Sequence, residues 1–423
     1  MISRYVYLLD KLMGDIHQRG NYDELESLQR LLNVSAHWRD EHDMGAVLGN
    51  VFKLQYIFDL EPEDLAVGRI GKTETGISLP FEHILEIAEA AIEFKEFTAS
   101  AAWLRLAKDK KIPGHEQVWA ELVRRHDEAF TDESKNLHLF EHPLATHPDA
   151  APIKFRNLEK WKDATLAEME ADLTASHYAT LALCRAGDTL RGGWKLRGCW
   201  YDYQYIKGPH GPLLPVRVEQ LTDDPDGLVM FRDYIPTQWV KKLKEISLPE
   251  MPFQEPPSHW QQGEPSVAGF EDVDVARDQN VWIARKLELT TGLSVVGNIA
   301  SEKLRVTLYS LVGQISPHHD AYSIFSNSAE DSSLYLDRIS TMLIYLNTVE
   351  LGGSTVFPVA GVAVAPREGD AIFWHSRWRN GTVDKRWLHA ACPIPLGVKW
   401  TASKWVKNDG NAFSRKCDIN SQL

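Results

Sequence analysis

The sequence has few cysteines, and their pattern does not settle how they pair. Only four occur in 423 residues, namely Cys184, Cys199, Cys392 and Cys417. Four cysteines allow three pairings, and pairing within each neighbouring couple is the simplest. Four buried free thiols are an equally acceptable interpretation, so the cysteine count alone leaves the redox compartment open.

The chain also lacks any long apolar run and any excess of basic charge. No run approaches the roughly 18 apolar residues that a membrane span requires. The formal net charge is −13, which argues against a nucleic-acid-binding surface. The first residues, "MISRYVYLLDKLMGDIHQRG", resemble an amphipathic helix and show no signal-peptide pattern. We therefore predict a soluble protein without a membrane span or a nucleic-acid partner.

Two or three domains are expected from the length of the chain, and the spacing of its apolar residues changes near residue 185. Leucines and aromatics recur at helical spacing before that point, which predicts degenerate tetratricopeptide-like units or a plain helical bundle. Short apolar runs such as "RVTLYSLV" and "KWTASKWV" follow, and they indicate an antiparallel sandwich or jelly roll. The predicted class is α+β, with helical segments over 1–78 and 79–183 and a β-rich domain over 200–423.

The stretch "QISPHHDAYS" raises the possibility of a metal site. His318 and Asp320 are separated by one residue, so an extended backbone points both side chains to the same face. His389 begins a β-like run some 70 residues later and is the best candidate for a third ligand. Two histidines and one carboxylate form a facial triad with open positions, which suits non-haem Fe(II). His319 is expected to point away from the metal.

Lys399 lies ten residues after His389, within the apolar run "LGVKWTASKW". A buried lysine is costly unless it meets an anion. A dicarboxylate that chelates the iron offers a free carboxylate to this ammonium. Without the triad, an exposed lysine on an edge strand would be the preferred interpretation.

With these residues in place, the second half of the chain resembles the catalytic domain of the animal prolyl 4-hydroxylase α subunits, a family of oxygenases. The resemblance rests on "PHHD", "RISTMLIYLNTVELGGSTVFP", "GDAIFWH", "HAACPIPLGVKWTASKW" and "RKC". It implies a double-stranded β-helix (jelly roll) as the catalytic domain. More loosely, residues 1–78 resemble the family's dimerisation segment and residues 79–183 its tetratricopeptide-like peptide-binding domain.

The resemblance implies roles for seven residues and three cofactors. It makes His318, Asp320 and His389 the iron ligands, and it makes Lys399 the anchor of the distal carboxylate of 2-oxoglutarate. The positions that line the cosubstrate pocket are Tyr309, Thr341 and Trp405. Fe(II), 2-oxoglutarate and L-ascorbate are expected, and the reaction implied is hydroxylation of peptidyl proline with release of succinate and CO₂.

It also implies disulfides, a compartment and a partner. The family pattern pairs Cys392 with Cys417 and Cys184 with Cys199, which places the chain in the endoplasmic reticulum lumen. The sequons at Asn33 and Asn380 are compatible with glycosylation there. Protein disulfide isomerase is the implied β subunit of an α₂β₂ assembly. Because no signal peptide is present, we expect the sequence to be a fragment or truncated at its start.

Several positions depart from the family pattern. His319 stands where the family has Phe, His375 where it has Tyr, and Lys407 where it has a second histidine. A tyrosine-rich stretch of the helical domain is here "KEFTASAAW", whose aromatics are Phe97 and Trp103. Two alternatives therefore stay open, namely an oxygenase acting on a secreted Pro-rich protein other than collagen and a catalytically idle peptide-binding paralogue. A jelly roll that serves only as a scaffold is the remaining interpretation.

Overall fold

The computed structural model describes ten stretches of the chain. They are residues 41–76, 78–110, 114–133, 173–189, 198–202, 215–223, 227–250, 268–276, 280–321 and 337–415. Within them the chain divides into two compact units, one of residues 1–55 and 78–153 and the other of residues 56–77 and 154–423. The domain boundaries drawn from the sequence stay a prediction.

Helices occupy most of the described part of the first half, and two more lie in the second half. The bounds of all eight described α-helices are α1 Glu41–Phe58, α2 Pro62–Ala66, α3 Phe81–Glu93, α4 Phe97–Lys110, α5 Glu116–Glu133, α6 Leu173–Thr189, α7 Thr237–Ser247 and α8 Val281–Thr291. In the described part of the chain, none of them is long and apolar enough to cross a membrane. Leucines at helical spacing over about the first 60 residues predict a helical hairpin, and most of that segment lies outside the described residues.

In the helical unit, apolar residues at helical spacing form the packed face of α3. Ile84, Ala88 and Ala91 follow one another at i, i+4 and i+7, and all three are buried. Trp103 of α4 is fully buried, and its indole Nε1 donates to Gln55 Oε1 at 2.9 Å. Phe97 is also buried, against Phe130. These two aromatics belong to the core of the unit rather than to an exposed groove.

Thirteen strands are described, and eleven belong to one antiparallel sheet system. The bounds are β1 Arg69–Ile70, β2 Thr73–Glu74, β3 Gly198–Asp202, β4 Val216–Gln220, β5 Val229–Arg232, β6 Ala268–Val275, β7 Leu304–His318, β8 Arg338–Tyr345, β9 Thr355–Phe357, β10 Val362–Val364, β11 Ala371–His375, β12 His389–Ala391 and β13 Lys399–Lys407. The order is β10-β9-β12-β7-β13-β8-β11-β5-β4-β3, with β6 also paired to β7.

The long strand β7 belongs to two rows of strands. Its first half pairs with β13 and β6, and its last residues pair with β12. Alternation along each strand separates two faces. Trp400, Ala402 and Val406 of β13 join one hydrophobic cluster, while Lys399 and Tyr345 lie on the other face. That second face carries the polar residues considered below.

The predicted α+β class and the β-rich second half are confirmed, and each apolar run quoted as strand-like contains a strand. The tetratricopeptide-like arrangement of the helices stays a prediction. The Pro-rich run "PEMPFQEPPSHWQQGEP" (249–265), whose composition predicts an exposed loop, lies almost entirely outside the described residues.

The predicted disulfide pairing is wrong. Cys184 of α6 is bonded to Cys392, with a Cα–Cα distance of 5.5 Å, across a sequence separation of 208 residues. Cys199 is a free, exposed thiol on β3, and Cys417 lies outside the described residues. The physical reason is packing, because α6 lies against β9 and β10 and brings Cys184 to the segment that follows β12. Distance along the sequence was therefore a poor guide to this bond.

Replacing Cys392 by serine is expected to lower the stability of this unit markedly. Closing a loop of 208 residues corresponds to about 5 kcal/mol in the chain-entropy estimate. Thermal unfolding of the oxidised protein measures the effect, and Cys199→Ser is the matched control because that thiol is exposed and unbonded. Peptide mapping without reduction should recover the Cys184–Cys392 pair, and recovery of a Cys392–Cys417 pair instead would contradict it.

Candidate functional site

The two histidines of the predicted triad meet where β7 and β12 pair. His318 is the last residue of β7, His389 is the first residue of β12, and the two are direct register partners. Their ring centroids are 4.3 Å apart. Pairing of the strands therefore joins two residues that lie 71 positions apart (389 − 318) in the sequence.

Asp320 completes the cluster from the segment just after β7. Its side chain is buried, and its carboxylate oxygens lie 4.0 Å from His318 Nε2 and 3.7 Å from His389 Nε2. One ligand atom from each residue lies within 4.8 Å of the others. Two imidazole nitrogens and a carboxylate at this separation fit a facial triad for Fe(II). In the described part of the chain this is the one such group of three or more His, Cys, Asp or Glu.

Backbone carbonyls orient both imidazoles. His318 Nδ1 lies 2.8 Å from the carbonyl oxygen of Ser316, and His389 Nδ1 lies 2.9 Å from that of Trp387. A carbonyl can only accept, so each Nδ1 carries the proton and donates it. The Nε2 lone pairs are then left for the metal, which is the arrangement that fixes a metal-binding histidine.

Electrostatics keep these side chains in the forms that bind a metal. Burial alone would raise the pKa of Asp320, but the charges of His389 and His318, the hydrogen bond from Thr341 and the charge of Arg338 together lower that pKa. Burial, followed by the charge of His318, lowers the pKa of His389 to about 4. Near neutral pH the site therefore offers an ionised carboxylate and a neutral imidazole, and metal binding requires no proton release from either.

Thr341 lies closer to the metal cluster than its predicted role in the cosubstrate pocket implies. Its Oγ1 donates a 2.6 Å hydrogen bond to Asp320 Oδ2, and both side chains are buried. Thr341 lies on β8 in register with Trp405 of β13. The hydroxyl thus fixes Oδ2, the oxygen nearest to His389 Nε2, while Oδ1 is the oxygen nearest to His318 Nε2.

Thr341→Val is therefore expected to weaken metal affinity about 10- to 100-fold, the usual cost of losing such a supporting hydrogen bond. Valine keeps the shape of the side chain and removes the donor. Thr341→Ser restores the hydroxyl and should bind metal nearly as the wild type does. Titration with Mn²⁺ as a redox-stable probe measures the difference, and equal affinity of the valine variant and the wild type would refute the role.

Lys399 opens β13 and is almost fully buried, at 1% exposure. Its ammonium Nζ lies 3.3 Å from Thr355 Oγ1, and 5.2 and 5.8 Å from the ring centroids of Tyr309 and Tyr345. Among the described residues, no carboxylate is paired with it. Burial lowers the pKa of Lys399 to about 7. A buried ammonium whose contacts among the described residues are a hydroxyl and two rings fits a site for an anionic ligand.

The remaining predicted pocket residues lie on the strands that flank Lys399 and the triad. Tyr309 of β7 is the register partner of Lys399, which explains its ring contact with the ammonium. Trp405 lies further along β13, with the guanidinium of Arg338 stacked on its ring at 3.9 Å. The structure thus brings Tyr309 next to Lys399, whereas Trp405 lies next to Thr341.

Sequence reasoning missed three residues of this site. Thr355 links Lys399 to Tyr345, whose hydroxyl donates to Thr355 Oγ1 at 2.9 Å. Arg338 lies 3.8 Å from Asp320 and pairs with both carboxylate oxygens of Glu302. All three lie in the quoted run that starts at residue 338. The threonine and the tyrosine could have been identified from the sequence, because they are polar residues in an otherwise apolar strand region.

The three departures from the family pattern differ in their surroundings. His319 is partly buried beside the triad, and burial together with the charge of His318 lowers its pKa to about 4. His375 makes a 2.6 Å contact through Nδ1 with Ser340 Oγ, and burial lowers its pKa well below the usual range. Lys407 is half-buried, with its Nζ 3.4 Å from the carbonyl oxygen of Asn298. None of them belongs to the three-ligand cluster.

Comparison with known proteins agrees with this geometry. Residues 304–407 match the family model described as the 2OG-Fe(II) oxygenase superfamily. The chain is 27% identical over 418 residues to the prolyl 4-hydroxylase subunit alpha-2 of Gallus gallus, with 89% of this chain and 76% of the relative covered. It is also 27% identical to the alpha-2 subunit of Caenorhabditis elegans, with 90% and 74% covered.

Two further similarities cover less. The prolyl 4-hydroxylase subunit alpha-1 of Gallus gallus is 31% identical over 236 residues, which are 52% of this chain and 43% of the relative. The crystal structure of a viral collagen prolyl hydroxylase from Paramecium Bursaria Chlorella virus-1, in its 2OG complex, aligns with a TM-score of 0.34 and 17% identity. That alignment covers 44% of this chain and 99% of the viral one.

The predicted cofactors, Fe(II) and 2-oxoglutarate, are confirmed by the matched superfamily and by the donor set of His318, Asp320 and His389. The assignment of individual residues to each cofactor stays a prediction. Residues 304–407 are a domain of the 2OG-Fe(II) oxygenase superfamily, in a chain that is similar over most of its length to animal prolyl 4-hydroxylase α subunits.

Proposed function

We propose that this chain hydroxylates C4 of peptidyl proline in collagen-like or Pro-rich chains, with 2-oxoglutarate and O₂ consumed and succinate and CO₂ released. The observation that carries this proposal is the cluster of His318, Asp320 and His389, of which the last two are buried, in the sheet that also buries Lys399. The similarity to prolyl 4-hydroxylase subunits over about nine-tenths of the chain supports the choice of proline.

The residues of the site have distinct tasks. His318, Asp320 and His389 hold the iron, which, when bound, supplies the oxygen chemistry that couples decarboxylation of 2-oxoglutarate to hydroxylation. Lys399 binds the distal carboxylate, with Tyr309 and Thr355 beside its ammonium. Carbonyls of Ser316 and Trp387 keep both imidazoles in one orientation. Lys399 and His389 are both buried.

The helical unit is proposed to be tetratricopeptide-like and to bind the peptide substrate. A pocket of about 490 Å³ lies on it, bordered by Phe81, His115 and Trp119. Lys108 Nζ lies 5.6 Å from the Trp119 ring, so the pocket combines aromatic faces with one cation. An extended Pro-rich chain is already ordered before it binds, and aromatic grooves are common receptors for it. Phe97 and Trp103 have no part in this pocket because both are buried in the core.

The compartment and partners of the chain are also proposals. The Cys184–Cys392 disulfide supports an oxidising compartment, and we propose the endoplasmic reticulum lumen. Protein disulfide isomerase as β subunit in an α₂β₂ assembly, and L-ascorbate as the reductant that restores the iron, are proposed from the resemblance to prolyl 4-hydroxylase α subunits. A Pro-rich protein other than collagen is the second candidate substrate, since the aromatics of "KEFTASAAW" are buried.

The test is a turnover assay with two substrate classes. The oxidised protein, with Fe(II) and ascorbate, is incubated with labelled 2-oxoglutarate and either a Pro-Pro-Gly repeat or a Pro-rich peptide without glycine. We expect succinate release together with the gain of one oxygen atom on proline, located by mass spectrometry. Turnover on the second peptide alone would select the non-collagen substrate. Peptide-independent succinate with no modified proline from either class would refute the proposal.

A further inference from the structure

A surface on helices α7 and α8 combines two lysines with a pair of tryptophans. The Trp239 and Trp282 rings are half-buried and meet edge to face, with their centroids 4.4 Å apart. Lys242 Nζ lies 5.6 Å from the Trp282 ring centroid, and Lys286 Nζ lies 6.0 Å from that of Trp239. Val281 adjoins Trp282 at the start of α8 and is 57% exposed. These five residues are called the α7–α8 patch.

Both lysines of the patch keep a charge that no carboxylate neutralises. Among the described residues, the contacts of the two ammonium groups are with aromatic rings, and Lys286 Nζ also lies 4.8 Å from the Tyr234 ring centroid. Such a ring holds an ammonium in place without cancelling its charge. Burial lowers the pKa of Lys286, and a carboxylate brought close to this ammonium would reverse that change.

Neighbouring cations on the same two helices differ, because they already have partners. Lys241 pairs with Glu245 at 3.7 Å, and Arg285 pairs with Glu288 at 3.4 Å. Glu288 also accepts hydrogen bonds from two backbone N–H groups of the loop that follows α8. The whole chain carries a net charge of −13, so two unneutralised cations beside each other are a local exception. Such a surface attracts an anionic partner.

The number of charges selects the class of anion. A nucleic-acid site engages about 6–10 phosphates, and an anionic membrane attracts clusters of about 4–8 basic residues. Two ammonium groups are too few for either, and the net negative charge of the chain repels both. Tryptophan is instead enriched in protein–protein interfaces. We propose that the α7–α8 patch binds an acidic segment of a partner protein, whose carboxylates pair with Lys242 and Lys286 and whose apolar side chains pack on the two indoles.

The patch lies across a hydrophobic cluster from the face of β13 that carries Lys399. The inward sides of α7 and α8 join Trp400 in that cluster, through Val240, Leu243, Ile283 and Leu287. A partner on the outer side of these helices therefore leaves the metal cluster uncovered. Docking at the patch goes beyond the proposed hydroxylation and does not rest on it.

The test measures binding of a fluorescein-labelled peptide in which two leucines lie between two runs of glutamate. Fluorescence anisotropy with the full oxidised chain at low ionic strength gives the dissociation constant. Lys242→Gln combined with Lys286→Gln is expected to weaken binding about 5- to 30-fold, because two ion pairs are lost. Affinity should also fall as NaCl rises from about 0.05 to 0.3 M, because salt screens exposed charges. A peptide with glycines in place of the leucines should bind about fivefold more weakly, because it cannot pack on the indoles.

Lys241→Gln combined with Arg285→Gln is the matched control. It removes the same formal charge from the same two helices, but both cations already have carboxylate partners. Affinity for the peptide should therefore stay within about twofold of the wild type. Lys242→Gln alone changes an exposed position and should weaken binding about 2- to 5-fold, so the proposal is testable even if the double variant does not fold. Mn²⁺ affinity should be unchanged in all of these variants.

Each contrary outcome has a distinct meaning. No binding of the peptide to the wild type at low salt would overturn the proposal, as would equal weakening in the two double variants. Tighter binding of an oligothymidine strand or of phosphatidylserine vesicles than of the peptide would overturn the choice of a protein partner. Loss of Mn²⁺ affinity together with peptide affinity would show that the helices act on the metal cluster instead. Because no measurement uses 2-oxoglutarate, this proposal and the proposed hydroxylation can fail independently.

Discussion

Replacing His318, Asp320 or His389 by alanine is expected to eliminate Fe(II) binding and reduce turnover below detection. The cluster offers three protein ligands within 4.8 Å, so each substitution removes one third of the donor set and its geometry. The loss of metal affinity should be larger than in Thr341→Val, because that variant only removes the hydrogen bond to the Asp320 carboxylate. Metal content after anaerobic loading and desalting measures the effect.

His319→Ala is the matched control for these variants. His319 adjoins two of the ligands in sequence, but it is not in the three-ligand cluster. It should therefore retain metal at the wild-type level, whereas the three ligand variants should not. Circular dichroism establishes that each variant is folded. Wild-type iron content in any folded ligand variant would remove that residue from the site.

Lys399→Ala is expected to raise the KM for 2-oxoglutarate by about two to four orders of magnitude while iron binding is retained. Removing one partner of a buried ion pair costs about 3–5 kcal/mol, because the other charge is left unpaired. Lys399→Arg keeps the charge but brings a wider planar group into a pocket shaped for a compact one, and it should weaken binding moderately. Measuring the KM at saturating Fe(II) separates the effect on 2-oxoglutarate binding from any effect on metal binding.

Lys407→Ala is the comparison variant for Lys399. Lys407 lies eight residues further on at the end of β13 and is only half-buried, so its loss should change the KM little. A strong increase in KM for Lys407→Ala without one for Lys399→Ala would show that the anchor is at the other lysine.

The lowered pKa of Lys399 also predicts how the stability of the ligand-free protein depends on pH. Burial brings this pKa from its ordinary value of 10.5 to about 7. Between these values the unfolded chain binds a proton that the folded chain does not, so the free energy of unfolding should rise as pH increases through this window. Tyr309, Tyr345 and Thr355 surround the ammonium and supply no counter-charge.

Chemical denaturation at pH 7 and pH 9 measures this dependence. Lys399→Met lacks the titrating group and should show a flatter profile than the wild type. Bound 2-oxoglutarate favours the charged lysine, so its binding above pH 7 should take up a proton, which calorimetry in buffers of different ionisation enthalpy detects. Identical pH profiles for the wild type and Lys399→Met would contradict the burial of an unpaired ammonium.

Periodicity in the sequence predicted the strands and much of the candidate site, because these features depend on residue patterns within a single strand. Alternation marked β7, β8 and β13, and the one-residue spacing of His318 and Asp320 placed both on the same side of the chain. Lys399 stood out as a charge in an apolar run. The contacts of Thr355 and Arg338 depend on register between strands that are distant in sequence. No pattern within a single strand contains that information.

The disulfide was mispredicted for a similar reason. Pairing by proximity along the chain assumes that nearby cysteines remain near each other after folding. Docking of α6 on β9 and β10 instead brings Cys184 to Cys392. Which cysteine lies opposite Cys184 is decided by helix–sheet packing.

The separation of 208 residues between Cys184 and Cys392 also sets an order of events during synthesis. At about 5–20 residues per second, a ribosome needs roughly 10 to 40 s to make the chain between the two thiols. Cys199 is the next cysteine after Cys184 in the sequence and is made within seconds of it. A bond formed early with Cys199 must then be broken by attack of another thiolate before Cys392 can take its place. The yield of correctly paired protein should therefore depend on how rapidly thiols exchange around the growing chain.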